Sequence, residues 1–230
     1  MQFKKSAMME IIENGYITPF QHPFTCVIAG GTGSGKTRFL ENALIHAKQT
    51  ISAPIHRLVY CYGVYLEDTF NLLRKYYPNI ELIRGLSANL EFDPSINNFL
   101  IIDDLMVEAV KSNLVSDYFT KGSHHQNLSV IYMTQNIFLQ GPFGKTINNN
   151  SNYTIYFKNP RDKQQILYLG RQMFPGRGNS NTLKEAYDDA VARPYGYIFL
   201  DFKPSVSDKL RIKTNVLPTD PQPQISYVAK

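Results

Sequence analysis

A glycine-rich stretch between residues 30 and 37 has the residue types and the spacing of a phosphate-binding loop. It reads Gly30-Gly-Thr-Gly-Ser-Gly-Lys-Thr37, which matches the pattern G-x-x-x-x-G-K-T. Glycines let the backbone turn so that successive N–H groups point at one anion, and a helix that begins at the lysine adds the positive end of its dipole. The stretch therefore predicts a site for the phosphates of a nucleotide.

The side chains of this loop have distinct predicted roles. Lys36 places positive charge on the β and γ phosphates, and the hydroxyl of Thr37 is a ligand for Mg²⁺. The cofactors that the loop indicates are a nucleotide and Mg²⁺. We expect the nucleotide to contact the loop and the residue after it, namely Gly30, Gly31, Thr32, Gly33, Ser34, Gly35, Lys36, Thr37 and Arg38.

Two adjacent carboxylates end a short apolar run that begins at Phe99. A phosphate-binding loop needs a carboxylate at the end of a neighbouring parallel strand, because the Mg²⁺ held by Thr37 requires a further oxygen ligand. Asp103 is predicted to fill that position, and Asp104 to polarise the attacking water as general base. Two acids after a strand are also common as turn or cap residues, so this prediction depends on the loop.

A further polar strand end follows the apolar run 128–133. If this strand lies beside the strand that precedes the loop, the Thr134-Gln135 tip reaches the γ phosphate, where an amide can orient the attacking water. Gln135 is therefore a candidate catalytic residue. A polar strand end without a function would have the same sequence.

A basic cluster, Lys158-Asn-Pro-Arg-Asp-Lys163, follows the predicted strand 153–157. Positive side chains at the exit of a strand can clamp a phosphate or form a solvated rim, and the residues themselves leave both interpretations open.

Hydrophobic periodicity predicts the elements that must position these residues. Strands are expected at 24–29, 57–62, 80–83, 99–103, 128–136, 153–157, 195–202 and 210–216, and helices at 36–48, 67–76, 107–120, 164–173 and 182–192. The segment 141–152 is expected to be a loop. This alternation predicts the α/β class, with a mainly parallel sheet flanked by helices.

The length of 230 residues suits one large α/β domain. We expect an N-terminal segment over 1–22 with a short amphipathic piece, a P-loop domain over 23–217, and a loose C-terminal tail over 218–230. No apolar run approaches the length of a membrane span, and Glu10 and Glu13 stand where a signal peptide would be apolar. A soluble intracellular protein is therefore expected.

The two cysteines, Cys26 and Cys61, fall in predicted strands and are expected to be reduced thiols. The adjacent His124 and His125 do not predict a metal site, because no cysteine or further histidine lies at ligand spacing.

Charge is uneven along the chain. Residues 1–120 hold 10 Lys and Arg against 12 Asp and Glu, whereas residues 121–230 hold 14 against 7. The second half is a candidate surface for a polyanion.

Several of these stretches together resemble a known family. The loop 30–37, Leu100-Ile-Ile-Asp-Asp104, Lys121-Gly-Ser-His-His-Gln-Asn to Asn136, Phe157-Lys-Asn-Pro-Arg-Asp162 and Tyr195-Gly-Tyr-Ile-Phe-Leu-Asp201 are similar to the genome-packaging ATPases of Polinton/Maverick elements, virophages and related DNA viruses. That group belongs to the FtsK/HerA superfamily of P-loop ATPases.

The resemblance implies a RecA-like (ASCE) core in which an added strand lies between the P-loop strand and the strand that ends at Asp103, with Gln135 at its tip. It also implies a pentameric or hexameric ring that moves double-stranded DNA into a preformed capsid, at the portal vertex or another capsid site. Each site in such a ring is completed by an arginine of the neighbour, for which Arg161 is the first candidate and Arg171 the second. The location implied is an assembly site in the host cytoplasm or nucleus, or the virion.

Two other function classes stay open. Asp104 stands where the superfamily often has glutamate, which leaves room for a nucleotide-gated scaffold for capsid or DNA that does not hydrolyse ATP. A nucleoside or nucleotide kinase also has a P-loop and acidic strand ends, but such kinases usually carry an arginine-rich lid, and the chain has no dense run of arginines.

Overall fold

The computed structural model describes residues 9–13, 15–87, 90–105, 113–122, 126–139, 141–175 and 181–229. In these residues the strands form one ten-stranded sheet. The strands are β1 Met9–Glu13, β2 Thr25–Ala29, β3 Arg57–Tyr62, β4 Glu81–Arg84, β5 Asn98–Asp103, β6 Leu128–Thr134, β7 Tyr153–Phe157, β8 Tyr197–Asp201, β9 Ile212–Thr214 and β10 Ile225–Ala229.

The order of strands across the sheet is β1-β10-β9-β8-β7-β2-β6-β5-β3-β4. From β4 to β7 neighbouring strands are parallel. From β7 to β1 they are antiparallel. Every residue of β2, β6 and β7 is buried, because parallel strands in the middle of such a sheet are covered on both faces. The predicted α/β class with a mainly parallel sheet is confirmed.

Helices cover the two faces of the sheet. They are α1 Lys36–Ile45, α2 Ala47–Thr50, α3 Glu67–Tyr76, α4 Leu114–Asp117, α5 Gly144–Asn149, α6 Gln164–Met173 and α7 Thr182–Ala190, with a π-helical turn at Tyr118–Gly122 and a 3-10 turn at Asp208–Leu210. One apolar cluster joins the sheet to α1 and α3. A second cluster on the other face joins it to α4, α5, α6 and α7.

Two expectations differ from the structure, and one segment without a predicted type is a strand. The segment 141–152 contains helix α5, which we had expected to be a loop. The amphipathic piece near the N-terminus is strand β1, and the expected loose tail contains strand β10, which pairs with both β1 and β9. These short strands escape sequence analysis because their partners lie far away in the chain. The His124-His125 pair and residues 107–112 of the predicted helix 107–120 lie outside the described residues, and the rest of that helix corresponds to α4 and the π-helical turn.

Cys26 and Cys61 are both free and buried. Burial raises the pKa of each thiol, to about 11 for Cys61.

Within the part of the chain that the structure describes, no helix is both long enough and apolar enough to cross a membrane.

Candidate functional site

Strand order brings three of the predicted polar strand ends to one edge of the sheet. β6 lies between β2 and β5, as the resemblance implied, and it is parallel to both. Ala29 is in register with Thr134, and Met133 is in register with Asp103. The loop after β2, the tip of β6 and the carboxylates after β5 therefore meet at the carboxyl ends of parallel strands, where open α/β sheets form their ligand crevices.

The glycine-rich loop adopts backbone conformations that L side chains rarely take. Gly30, Gly33 and Gly35 have φ values of 153°, 73° and 109°. Gly35 is the residue before the first turn of α1, so the left-handed turn ends where the helix begins. The strand, loop and helix that the motif requires are all present.

Lys36 lies along the inside of the loop. Its ammonium group donates hydrogen bonds to the carbonyl oxygens of Gly30 at 2.7 Å and Gly31 at 3.0 Å. Burial lowers the pKa of Lys36, and the negative charges of Asp103 and Asp104 oppose that shift. The lysine is thus held between the loop and the two carboxylates, where its charge can act on an anion in the crevice.

Asp103 ends strand β5 and is partly buried. The hydroxyl of Tyr60, on the neighbouring strand β3, donates a 2.8 Å hydrogen bond to its Oδ2 atom. Burial raises the pKa of Asp103, Asp104 raises it further, and the Tyr60 hydrogen bond and Lys36 lower it. The carboxylate is therefore oriented by a tyrosine that fixes one of its two oxygens.

Asp104 turns away from β5 in a left-handed conformation, with φ of 54°. Its carbonyl oxygen lies against Gly63, where a Cβ atom would approach it to 2.3 Å. The N–H of Gly63 also donates to the carbonyl of Asp103 at 3.0 Å. The turn that follows Asp103 is therefore held by a residue without a side chain.

One cavity of about 330 Å³ joins these groups. It is lined by Thr32, Gly33, Lys36, Thr37, Val64, Leu66, Asp103, Asp104, Met133, Thr134 and Gln135. The hydroxyl oxygen of Thr134 in this lining is buried and has no hydrogen-bond partner in the described residues, and neither has the buried hydroxyl of Ser34 in the loop. Buried hydroxyls usually have a partner, so a polar ligand in this crevice would satisfy that of Thr134.

The donor set of the cavity fits a hard divalent cation. The Thr37 hydroxyl and the Asp103 carboxylate line the same space and offer oxygen ligands. No group of three or more His, Cys, Asp or Glu side chains able to hold a metal occurs in the described residues. A cation here would therefore share its coordination with phosphate oxygens and water, as Mg²⁺ usually does.

The predicted arginines do not line this cavity. Arg38 is exposed and forms an ion pair with Glu41 at 3.8 Å. Arg161 is exposed in the loop that follows β7, and β7 is paired with the P-loop strand β2. The guanidinium of Arg171 lies 5.5 Å from the ring centre of Tyr168 on α6.

Sequence analysis missed two residues that shape the site, Tyr60 and Gly63. Tyr60 stands inside an apolar strand and Gly63 just after it, so each has the sequence of an ordinary core or turn residue. Only the pairing of β3 with β5 brings them to Asp103 and Asp104.

Comparison with known proteins shows the type of fold. No protein-family model matches the chain, and no curated protein sequence matches it. The genome-packaging NTPase B204 of Sulfolobus turreted icosahedral virus 2, in complex with ATP-γS, is 12% identical with a TM-score of 0.51, and the match covers 83% of this chain and 96% of that one. The same NTPase with AMPPCP gives a TM-score of 0.50 at 12% identity, covering 84% and 96%.

A second similar structure is EssC (ATPases 2 and 3) from Geobacillus thermodenitrificans, at 13% identity and a TM-score of 0.51. The match covers 86% of this chain and 40% of EssC, so the chain spans less than half of that structure. At such identities the likeness shows the fold alone. The predicted fold, a P-loop NTPase with a RecA-like α/β sheet, is confirmed.

Proposed function

We propose that the chain binds ATP with Mg²⁺ in the cavity between the P-loop and strands β5 and β6, and that it hydrolyses the γ phosphate. The observation that carries the proposal is that one cavity is lined by Lys36, Thr37, Asp103, Asp104 and Gln135. A cationic group, two carboxylates and an amide at the carboxyl ends of parallel strands are the parts that phosphoryl transfer to water needs.

Each of these residues has a role that follows from its position. The loop N–H groups and Lys36 hold the phosphates, while Thr37 and Asp103 hold the cation. Asp104 and Gln135 line the same cavity, where they orient and polarise the attacking water. Mg²⁺, when bound, supplies positive charge that stabilises the transferring phosphoryl group.

We further propose that hydrolysis moves double-stranded DNA into a capsid, and that the chain acts in a homo-oligomeric ring of the FtsK/HerA type, as a packaging ATPase related to those of Polinton elements and virophages. Support comes from the sequence resemblance and from the fold that the chain shares with a viral genome-packaging NTPase. Charge also supports it, since residues 121–230 carry 14 Lys and Arg against 7 Asp and Glu.

The loop after β7 is one part of the basic half that lies beside the phosphate-binding loop, since a Cβ atom on Gly31 would lie 3.9 Å from the carbonyl oxygen of Lys158. Its side chains Lys158, Arg161 and Lys163 are all exposed. The strand before it is paired with the P-loop strand, so both loops leave the sheet at the same edge. An exposed arginine here is available to a neighbouring subunit, and exposed lysines are available to the DNA backbone.

The first experiment measures steady-state ATP turnover of the purified protein with and without linear double-stranded DNA. The wild type is compared with Lys36→Ala and with Lys48→Ala, an exposed lysine on α2 that serves as a matched control. We expect turnover that DNA stimulates, abolished by Lys36→Ala and kept by Lys48→Ala. A Lys36→Ala variant with the wild-type rate would refute the site.

The other outcomes separate the alternatives. Turnover that duplex DNA leaves unchanged at low salt would contradict the DNA motor and keep the ATPase. Absence of turnover with retained ATP binding would favour the nucleotide-gated scaffold. Phosphate transfer to a nucleoside in a substrate screen would favour the kinase.

A second experiment tests DNA contact at the basic loop. DNA affinity is measured from 50 to 200 mM salt for the wild type, for Lys158→Ala with Lys163→Ala, and for the control pair Lys48→Ala with Lys75→Ala in the acidic half. About six or more phosphate contacts make wild-type affinity fall by about 10³-fold over that range. Loss of two phosphate contacts makes the slope of log affinity against log salt less steep by about 1.8. We expect this change in the variant with Lys158→Ala and Lys163→Ala and not in the control variant. A flat salt response of the wild type would contradict the role in DNA binding.

A further inference from the structure

Tyr195 is an exposed aromatic residue at the edge of the sheet that carries the P-loop. Among the described residues it is the most exposed of the large apolar side chains, with 72% of its surface accessible. It also has a left-handed backbone, with φ of 59°, which is uncommon for a bulky residue. Neither feature helps to form the core, since the neighbouring Tyr197 and Phe157 are buried and supply the apolar contacts there.

The ring of Tyr195 packs directly on the phosphate-binding loop. A Cβ atom placed on Gly35 would lie 3.2 Å from Cδ1 and 3.3 Å from Cβ of Tyr195. Gly35 precedes Lys36 at the start of α1, so the tyrosine borders the loop where it passes into the helix. A side chain at position 35 would push the Tyr195 ring away from the loop. Glycine is therefore required here for this contact as well as for its φ of 109°.

Hydrogen bonds and an ion pair hold the segment around Tyr195 in place. The N–H of Gly196 donates to the carbonyl of Arg193 at 3.2 Å, which closes a tight turn around Tyr195. Arg193 is partly buried and bonds to Asn215, and it forms an ion pair with Asp220 at 3.8 Å. The aromatic ring is therefore presented to solvent by a turn that is tied to the sheet.

Strand order defines which end of a bound nucleotide faces this ring. The carboxylates after β5 and the tip of β6 lie on one side of the P-loop strand β2, whereas β7 and β8 lie on its other side. Phe157 at the end of β7 is in register with Tyr197 at the start of β8, so Tyr195 lies at the same edge of the sheet as the loop. A nucleotide whose γ phosphate is at the carboxylates, and which crosses the loop to its other side, brings its base toward β7 and β8.

We propose that Tyr195 is the platform on which the base of the bound nucleoside triphosphate stacks. This rests on the proposed function, because it concerns the base end of the same nucleotide. A flat, exposed phenol ring recognises the π face that all bases share, so the ring adds affinity without selecting among them. The phosphates are held by the loop and Lys36, and the ring distinguishes a nucleotide from a bare polyphosphate.

The sequence offers a direct optical test, because the chain has no tryptophan. Tyr195→Trp places a single indole at the proposed platform, and Tyr168→Trp places one on α6, where Tyr168 is 51% exposed. We expect ATP to quench the indole emission of the Tyr195→Trp variant and inorganic tripolyphosphate to leave it unchanged, whereas the Tyr168→Trp variant responds to neither. Unchanged emission of Tyr195→Trp while calorimetry shows ATP bound to the same variant would overturn the proposal. So would quenching by duplex DNA in place of ATP.

Binding constants provide the second readout. Tyr195→Ala should raise the Kd for ATP by about 5- to 150-fold, as the loss of one base–aromatic stack predicts, and leave the Kd for tripolyphosphate unchanged. Tyr195→Phe keeps the ring and should keep the ATP Kd within about twofold of the wild type. Equal weakening of both ligands by Tyr195→Ala would mean that Tyr195 only supports the loop. If wild-type protein binds neither ligand in calorimetry, the proposed function itself fails, and this proposal with it.

Discussion

The hydroxyl of Tyr60 donates a 2.8 Å hydrogen bond to Oδ2 of Asp103 across the β3–β5 pair. This bond lowers the pKa of Asp103, whereas burial, the largest influence, raises it. Tyr60→Phe should therefore raise the carboxyl pKa further and move the acid limb of the turnover profile to higher pH. A carboxyl NMR titration of the metal-free variant checks the pKa. The same titration of Tyr62→Phe, on the same strand, should match the wild type, and an unshifted Asp103 in Tyr60→Phe would contradict the role of the bond.

Asp103 should reduce the stability of the protein at neutral pH. Burial raises its pKa in the folded protein, so the native state holds this proton more tightly than the unfolded chain does. Stability is then lost as pH rises from the ordinary carboxyl pKa, about 4, through the raised folded value. Asp103→Asn keeps an acceptor for Tyr60 and removes the charge. We expect its melting temperature at pH 7, without Mg²⁺ or nucleotide, to rise, by about 2–4 °C for each kcal/mol of desolvation that is relieved, while turnover is lost.

The gain from Asp103→Asn should vanish at low pH, because the wild-type carboxyl is then protonated in both states. A scan of melting temperature across the acid range up to neutral pH measures this convergence. A variant less stable than the wild type at neutral pH would show that Asp103 contributes contacts that outweigh its desolvation.

Gly63→Ala should displace the turn that carries Asp104. A Cβ atom at residue 63 would lie 2.3 Å from the carbonyl oxygen of Asp104, so one of the two backbones must move. We expect turnover to fall by about 10²-fold or more, because a catalytic group shifted by about 1 Å loses that much. Gly15→Ala is the matched control, since no atom lies within 4 Å of a Cβ there. Turnover of Gly63→Ala equal to that of Gly15→Ala would contradict a role for this turn.

Arg161→Ala should leave ATP binding intact and slow hydrolysis by up to about 10³-fold, as the loss of an arginine supplied by a neighbouring subunit does. Arg161 is exposed in the loop after the strand that pairs with the P-loop strand, but it does not line the cavity of the same subunit. Its side chain is therefore free to reach the cavity of a neighbouring subunit. Turnover at high protein concentration and ATP affinity are measured together. Arg171→Ala is compared in the same assay, and a loss confined to that variant would transfer the role to Arg171.

Sequence patterns predicted the central elements well because their signals are local. The strand at Tyr153–Phe157 and the helices at Glu67–Tyr76 and Gln164–Met173 agree with prediction at both ends. The helices carry a clear apolar face, and the strand is an apolar run bounded by polar residues. The strand, loop and helix around residues 30–37 could be predicted for the same reason, because the motif defines them within a few residues. The roles of the residues that line the cavity with them stay predictions.

What could not be predicted depends on contacts between distant residues. Helix α5 has the sequence Gly-Lys-Thr-Ile-Asn-Asn, which is a poor helix former, and it is held by the fully buried Ile147. Strand β10 follows three prolines closely, and its pairing with β1 joins opposite ends of the described chain. Tyr60 and Gly63 reach the carboxylates only through the order of the strands.

The pairing of β1 with β10 also affects how the molecule is made. Met9–Glu13 is synthesised before the other strands of the sheet, but its register partner is Ile225–Ala229, about 200 residues later. The elements that line the candidate site lie between these two strands in the chain and can fold as they leave the ribosome. Until β10 arrives, β1 has no partner in the sheet, so the antiparallel edge is the last part of the sheet to close during translation.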